Sequence, residues 1–322
     1  MTAHNLDHFL PWRRLKAQGI LGMNKRNGDF IAAYNQRSRY PLVDDKVKTK
    51  RLAEVAGVSA PKLYAVVEIE KQIRTISAQL AQHQDFVVKP SHGSGGEGIL
   101  VITSRTPHGY RKSNGQLISK QELEYHISNI LSGMYSLGGL PDTALIEQRV
   151  EFDPIFSDVS YQGVPDIRTI VFRGVPVMAM IRLPTRMSDG KANLHQGAIG
   201  VGIDLKTGIT SSGVWHEQII DRHPDTGVSI VGLEIPEWDK ILHLTAQCYD
   251  LAGLGYLGVD IVLDRTDGPL MLEMNARPGL SIQIANQCGL LKRLEKIEKL
   301  KSIPDLISDR VSLSYSMIDS LT

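Results

Sequence analysis

The segment Gly258-Val-Asp-Ile-Val-Leu-Asp-Arg-Thr-Asp-Gly-Pro-Leu-Met-Leu-Glu-Met-Asn275 constrains this chain more than any other. Two alternating arms flank the turn sequence Arg265-Thr266-Asp267-Gly268, the pattern of a β-hairpin. If those turn residues close the hairpin, Asp264 faces Pro269 and Asp260 stands opposite Glu273. Alternation along a strand puts Glu273 and Asn275 on one face, with Leu272 and Met274 on the other. Three oxygen ligands then converge on one side of a sheet, two of them like-charged and opposed. That arrangement is destabilising unless something neutralises it. Mg²⁺ is the natural partner, because it takes a few carboxylate or amide oxygens and keeps positions for water and substrate phosphates. The alternative is a half-exposed hairpin whose polar face is merely solvated.

A chain of 322 residues exceeds one typical core, so two or three packed lobes are expected. Lys+Arg 36 against Asp+Glu 35 implies no global field for nucleic acid or membrane. Cys248 and Cys288 lack metal-ligand or redox spacing and fit a reducing compartment. No run approaches the ~20 apolar residues of an integral membrane segment. Pro11-Trp-Arg-Arg-Leu-Lys16 interrupts any signal-peptide core, so a cytoplasmic protein is expected. Residues 1–45 carry Arg13, Arg14, Lys16, Lys25, Arg26, Arg37 and Arg39 against four Asp, which reads as a solvated basic face.

The pattern divides the chain into a short, mainly helical N-terminal appendage (1–45), a small α/β lobe (46–140) and a strand-rich large lobe (141–322). A helix from Asp45 to Ala56 ends at Gly57, and another spans Glu68–Gln82. Strands are expected at Leu63–Val67, Phe86–Lys89 and Ile99–Thr103, with a helix over Lys120–Tyr135. Beyond them, Leu145–Val150 reads as a strand and Ile167–Phe172 with Val175–Ile181 as a hairpin around Arg173-Gly174. Gly197–Asp204 is a further strand, Glu237–Ala252 a helix, and Ser281–Lys301 is helical. There is no internal repeat. The fold class is α+β, two lobes with a cleft between them.

Phe86-Val-Val-Lys89-Pro-Ser-His-Gly93-Ser-Gly95-Gly96-Glu-Gly98-Ile-Leu-Val-Ile102 contains a literal G-x-G-x-x-G. A dinucleotide fingerprint must open a helix, and a P-loop needs Lys-Ser or Lys-Thr after its last glycine. Here a strand follows. The glycines therefore sit in a strand-loop-strand flap whose backbone N–H groups can fold over phosphates. Lys89 ends an apolar strand just before the flap, where its ammonium can reach them. The alternative is a flexible glycine hairpin with a surface lysine.

A lysine on the first helix, a lysine before a glycine-rich flap, the hinge Ile146-Glu147-Gln148-Arg149-Val150 and an Asp…Glu-x-Asn hairpin resemble, in this order, the ATP-grasp superfamily. The phrases Asp44-Asp45-Lys46, Asp166-Ile-Arg168, Asn193-Leu-His-Gln-Gly-Ala198 and Glu273-Met-Asn275-Ala-Arg-Pro-Gly279 are most similar to the RimK-like glutamate ligases and their substrate-unassigned relatives. The resemblance covers about residues 43–300. It implies an ATP-grasp fold whose two lobes clasp ATP. Lys46 and Lys89 bracket its phosphates while Ser91, Gly93, Ser94, Gly95, Gly96 and Gly98 close over them. Glu147, Gln148 and Val150 bind adenine, and Glu151 or Asp153 the ribose. Asp260, Glu273 and Asn275 hold Mg²⁺, with Mn²⁺ able to replace it. Arg168 and Arg277 face the transferred phosphoryl group, with Asn193 nearby; the alternative for the two arginines is an ion pair to the acidic hairpin itself.

The implied activity is an ATP-dependent, ADP-forming carboxylate–amine ligase working through an acyl-phosphate. It joins an amine donor, such as glutamate, to a carboxylate acceptor that is a small molecule or a peptide. Phosphoryl transfer to a carboxylate needs several crowded oxygens neutralised, a task suited to Mg²⁺, Lys and Arg. A kinase on the same scaffold and a non-catalytic ATP-binding regulatory protein are the alternatives. Neither substrate nor oligomeric state is readable.

Overall fold

The structure, a computed structural model, describes residues 15–93 and 95–319, so Ser94, Arg13 and Arg14 lie outside the described residues. The chain divides into two units, Pro41–Glu151 and the flanking segments up to Tyr40 and from Phe152.

In the unit Pro41–Glu151, Asp45 starts helix α1 (Lys46–Val55) by accepting from the Val47 and Lys48 amides at 3.0 and 3.2 Å. Helix α2 (Glu70–Gln79) continues into a 3-10 turn at Leu80–Gln82. Helix α3 (Lys120–Leu131) opens on a reciprocal capping box between Ser119 and Glu122. One antiparallel sheet runs in the order β1 (Leu63–Val67), β6 (Ala144–Glu147), β2 (Phe86–Pro90), β3 (Leu100–Thr106), β4 (Gly109–Lys112), β5 (Leu117–Ser119). Ile73, Ile76, Leu80, Leu123 and Ile127 form one core with Phe86, Val88, Ile102 and Ile146. Because β6 is hydrogen-bonded to both β1 and β2, the boundary falls after Glu151 and not at residue 140.

The other unit carries a seven-stranded antiparallel sheet. Its order is β11 (Gln218–Ile220), β10 (Thr210–Trp215), β9 (Ile199–Ile203), β8 (Val175–Leu183), β7 (Asp166–Phe172), β12 (Tyr256–Asp264), β13 (Gly268–Asn275). The β7–β8 hairpin turns on Arg173 (φ 50°) and Gly174 (φ 82°), both left-handed as a two-residue hairpin loop requires. Helices α4 (Trp238–Ala252), α5 (Ser281–Ala285), α6 (Leu291–Glu298) and α7 (Ile307–Asp319) follow the chain. The expected helical stretch 281–301 is thus split, with Gln287 at φ 50° in the break.

Of the expected N-terminal appendage, residues 15–40 belong to this unit and residues 41–45 to the other. Phe30 and Tyr34 pack edge-on against Phe172, at ring distances of 5.4 and 4.8 Å. The Asn35 carboxamide donates to the carbonyls of Tyr256 and Ala276 and accepts from the Tyr256 amide, so it works as one more rung on β12. Buried amide pairing and aromatic packing bind the segment that composition alone set apart as an appendage. Among the described residues, no helix is long and apolar enough to cross a membrane.

Candidate active site

The glycine loop lies between β2 and β3, strand on either side, and Gly95, Gly96 and Gly98 have φ of 65°, 79° and 72°. Such angles are open to glycine at no steric cost. At Gly98 a side chain would also meet the Tyr135 ring, 2.6 Å from a Cβ. At Gly93 it would meet Pro90 at 2.3 Å. Lys46 donates to the Ser91 and Gly93 carbonyls at 3.3 and 2.8 Å, so the first-helix lysine lies against the start of the loop. Ser91 is fully buried. Its hydroxyl donates to Asp45 at 2.9 Å and its amide to the Thr143 carbonyl, which anchors the loop to the start of α1.

Behind the loop, Glu147 is buried between two lysines. Its Oε1 lies 2.6 Å from Lys89 Nζ and its Oε2 2.8 Å from Lys50 Nζ, with all three side chains no more than 6% exposed. Burial alone would raise the Glu147 pKa, but the charges of Lys89 and Lys50 outweigh it and hold the carboxyl below its usual range. Burial drives Lys50 down to about 8, against the pull of Glu147, and the neighbouring charge of Lys89 adds to the fall. One carboxylate cannot fully compensate two buried ammoniums. Lys50 was not singled out in the sequence. The available signal was its spacing from Lys46, since residues four apart share a helix face.

The hinge residues are partly engaged already. The Gln148 amide donates to the Lys62 carbonyl at 2.9 Å, and the Gln148 side chain accepts from the Lys62 amide. Val150 follows β6 and is half-buried. Arg149 ties Asp85 to the half-exposed Glu151. Asp153 caps the 3-10 turn Pro154–Val159 through the Ile155 amide at 2.9 Å. Of the two expected ribose carboxylates, Glu151 lies in the unit Pro41–Glu151 and Asp153 in the other.

In the other unit, Asp260 pairs with Glu273 across the β12–β13 hairpin, with a bulge between Asp260 and Ile261. Asp264 pairs with Gly268, not Pro269 as expected, so the turn is one residue shorter than expected. The bulge restores the Asp260–Glu273 pairing. The Asn275 carboxamide lies 3.3 Å from Glu273 Oε1. Asp260 is not left facing an uncompensated charge. Arg168 donates to both of its oxygens, through Nε at 2.5 Å and through Nη2. Arg182 reaches Asp260 Oδ2 at 2.8 Å while holding Asp166 by two bonds of 2.5 Å. Burial would raise the Asp260 pKa, but Arg168 and Arg182 hold the group well below the usual carboxylate range. Burial pushes Asp166 up to about 6, Arg182 opposing and the Asp260 charge adding to the rise.

Among the described residues, no group of three or more His, Cys, Asp and Glu is placed to hold a metal. The expected set is two carboxylates and an amide, all hard oxygen donors suited to Mg²⁺. A carboxylate has about four lone-pair positions. Asp260 engages three of them with arginine, one on Oδ1 and two on Oδ2, and its carboxyl also interacts with that of Glu273. By the chemistry of its donors the set fits the ion.

Arg277 and Asn193 make contacts of their own. Arg277 is exposed and lies over the Tyr40 ring, 4.9 Å from its centre. Asn193 caps the 3-10 turn Leu194–Gln196 through the His195 amide. Arg182 was missed in the sequence. A lone arginine in the apolar run Val175–Leu183 was the available signal, but a plain register count around Arg173-Gly174 sets Ile181 against Asp166, and the bulge between Ile170 and Val171 brings Arg182 there instead.

No curated protein sequence matches the chain. Solved structures similar to it include the ATP-grasp ligase PsnB complexed with minimal precursor (14% identity, TM-score 0.40, 88% of this chain and 64% of that one). The D-alanine–D-alanine ligase from Bacillus anthracis complexed with ATP gives 13%, 0.44, 89% and 70%. The VanG D-Ala:D-Ser ligase from Enterococcus faecalis gives 13%, 0.45, 88% and 64%. The chain thus spans less than two thirds of the length of PsnB. The sugar-transfer associated ATP-grasp family matches over residues 25–299, which take in the glycine loop, the buried lysine pair and the acidic hairpin. By that match, and by two antiparallel sheets that carry these motifs in order, the chain belongs to the sugar-transfer associated ATP-grasp family and has the ATP-grasp fold.

Proposed function

We propose that this protein is an ATP- and Mg²⁺-dependent carboxylate–amine ligase that forms an amide through an acyl-phosphate. The observation that carries the reading is the sharing of Glu147 by Lys50 and Lys89, which leaves one surplus positive charge buried beside a glycine loop. A buried charge without a full partner is costly, and a phosphate group would balance it.

In this reading Lys46, Lys89 and the backbone of residues 91–98 hold the phosphates. Residues 147–150 meet adenine, and Glu151 or Asp153 meets ribose. Asp260, Glu273 and Asn275 would hold Mg²⁺, which when bound supplies neutralisation of the phosphate oxygens. Arg168, fixed on Asp260 by Nε and Nη2, offers Nη1 to the transferred group. Arg277 and Asn193 are assigned to the same anion. The γ-phosphoryl group passes to the acceptor carboxylate, giving acyl-phosphate and ADP. The amine then attacks the acyl carbon, phosphate leaves, and the nitrogen loses a proton. An amino acid as the amine, glutamate among them, rests on the RimK-like order of the motifs alone.

Hydroxylamine tests the reading, because a small strong nucleophile can replace the native amine. Across a panel of carboxylic acids with Mg-ATP, the correct acid should give ADP and a hydroxamate. Arg277→Lys should reduce trapping more than ATP affinity, since lysine keeps the charge and loses the two-pronged fork. A phosphorylated acid that accumulates without hydroxamate would make the protein a kinase, and binding without turnover across the panel a regulatory protein.

A further inference from the structure

We propose, on the basis of the ATP-binding reading above, that His92 contacts nucleotide phosphate from within the glycine loop and that Asp142 is its positioning residue. His92 sits between buried Ser91 and Gly93, yet its own side chain is half exposed. Asp142, on the chain entering β6, has a side chain with no exposure at all. Its carboxylate accepts from the His92 amide at 3.0 and 3.2 Å and from the Thr143 amide at 2.7 Å. The same carboxylate lies 2.7 Å from His92 Nδ1.

A buried acceptor at that distance fixes the ring. Nδ1 carries a proton and donates it to Asp142, so Nε2, across the ring, is the atom available to a ligand. In its doubly protonated form the ring presents Nε2–H to an anionic oxygen while Asp142 balances its charge. This is the geometry of a charge-assisted hydrogen bond. A purely structural role accounts for less. The His92 backbone amide already pins the loop to Asp142 whatever side chain stands at 92, the Thr143 amide also binds the carboxylate, and a half-exposed imidazole adds little packing. The same amides keep Asp142 hydrogen-bonded when the imidazole is removed, so His92→Ala should fold.

The test compares wild type, His92→Ala, His92→Gln and Asp142→Asn for binding of the Mg²⁺ complex of the β,γ-imido ATP analogue and of adenosine by calorimetry, with ¹⁵N NMR of the imidazole. His92→Ala should weaken the analogue roughly ten- to a hundredfold, the scale of one hydrogen bond to a charged group, and leave adenosine unchanged. His92→Gln should recover part of the loss through its amide N–H. The Nε2 signal should move on adding the analogue and not adenosine. Asp142→Asn should change the tautomer pattern of the ring and weaken the analogue, a signature that lost rigidity alone does not give. If wild type binds the analogue while His92→Ala matches it, or loses both ligands equally, the inference is overturned and the ATP reading stands. If wild type binds no analogue, both are overturned.

Discussion

Asp260 stands directly opposite Glu273, and a single extra residue in the second strand keeps it there. From Asp264–Gly268 to Ile261–Met271 the ladder is regular, and continued it would set Asp260 against Leu272. The bulge skips Leu272 and aligns the two carboxylates. Arg168 and Arg182 neutralise Asp260, which lets it stand against a second carboxylate.

Replacing Glu273 by Gln removes one of two facing negative charges. The metal-free protein should gain a few tenths to ~1 kcal/mol of stability, the scale of a like-charge cross-strand pair. Hydroxamate formation should be lost with the metal site. Melting without Mg²⁺ and the trapping assay read the two effects. Full activity in this variant would sink the metal assignment.

Arg182 holds Asp166 with two bonds and Asp260 with a third. Arg182→Met leaves Asp166 buried without its main partner, and removing one member of a buried pair costs about 3–5 kcal/mol. Asp166→Leu in the same background should restore much of that loss, since no unpaired charge remains at 166. Urea midpoints of the single and double variants decide. Equal losses for both would show that Arg182 acts through packing.

Where the backbone signals were local, the sequence reading holds. Asp45 and Ser119 cap the helices expected after them, and Arg173-Gly174 turns the expected hairpin. What stayed hidden depends on distant partners. Ala144–Glu147 is placed by strands far earlier in the chain, and no local pattern announces that pairing. Lys50 looks like any helix-surface lysine until Glu147 is seen beneath it. The acidic hairpin was legible in its pairing through two compensating departures, a shorter turn and a bulge, that alternation cannot show.

Gly98 combines a left-handed φ of 72° with a Cβ position 2.6–2.9 Å from Tyr135 atoms. Gly98→Ala should cost ~1–2 kcal/mol for the backbone conformation, plus the clash. Tyr135→Ala relieves only the clash. In the Gly98→Ala background Tyr135→Ala should therefore cost less than in wild type, a coupling readable from a double-mutant cycle. Strict additivity would mean that the loop moves away from the ring, and hydrogen exchange over residues 91–98 would then rise.

Lys50 predicts a stability that climbs with pH. Its folded-state pKa is pushed down to about 8, mainly by burial, from an ordinary value of 10.5. Below pH 8 both states hold the proton and the folded state bears the full cost of the buried charge. Between about pH 8 and 10.5 the unfolded chain binds the extra proton, so unfolding becomes harder by up to ~1.4 kcal/mol per pH unit. Burial pushes the Cys248 thiol and the Tyr256 hydroxyl up, and both oppose this rise as their unfolded counterparts ionise, the thiol from near pH 9 and the tyrosine from near pH 10. The difference between wild type and Lys50→Met, which share both groups, therefore isolates Lys50 from pH 8 upward. Lys50→Met leaves Glu147 with Lys89 alone and should be flatter there, with equal or greater stability at pH 7, since a surplus buried charge is gone. Nucleotide analogue binding should move the opposite way in wild type and weaken past pH 8, because phosphate favours the protonated lysine. Parallel stability curves for wild type and Lys50→Met would mean that Lys50 keeps its charge throughout, and the surplus-charge argument for a phosphate site would fail with it.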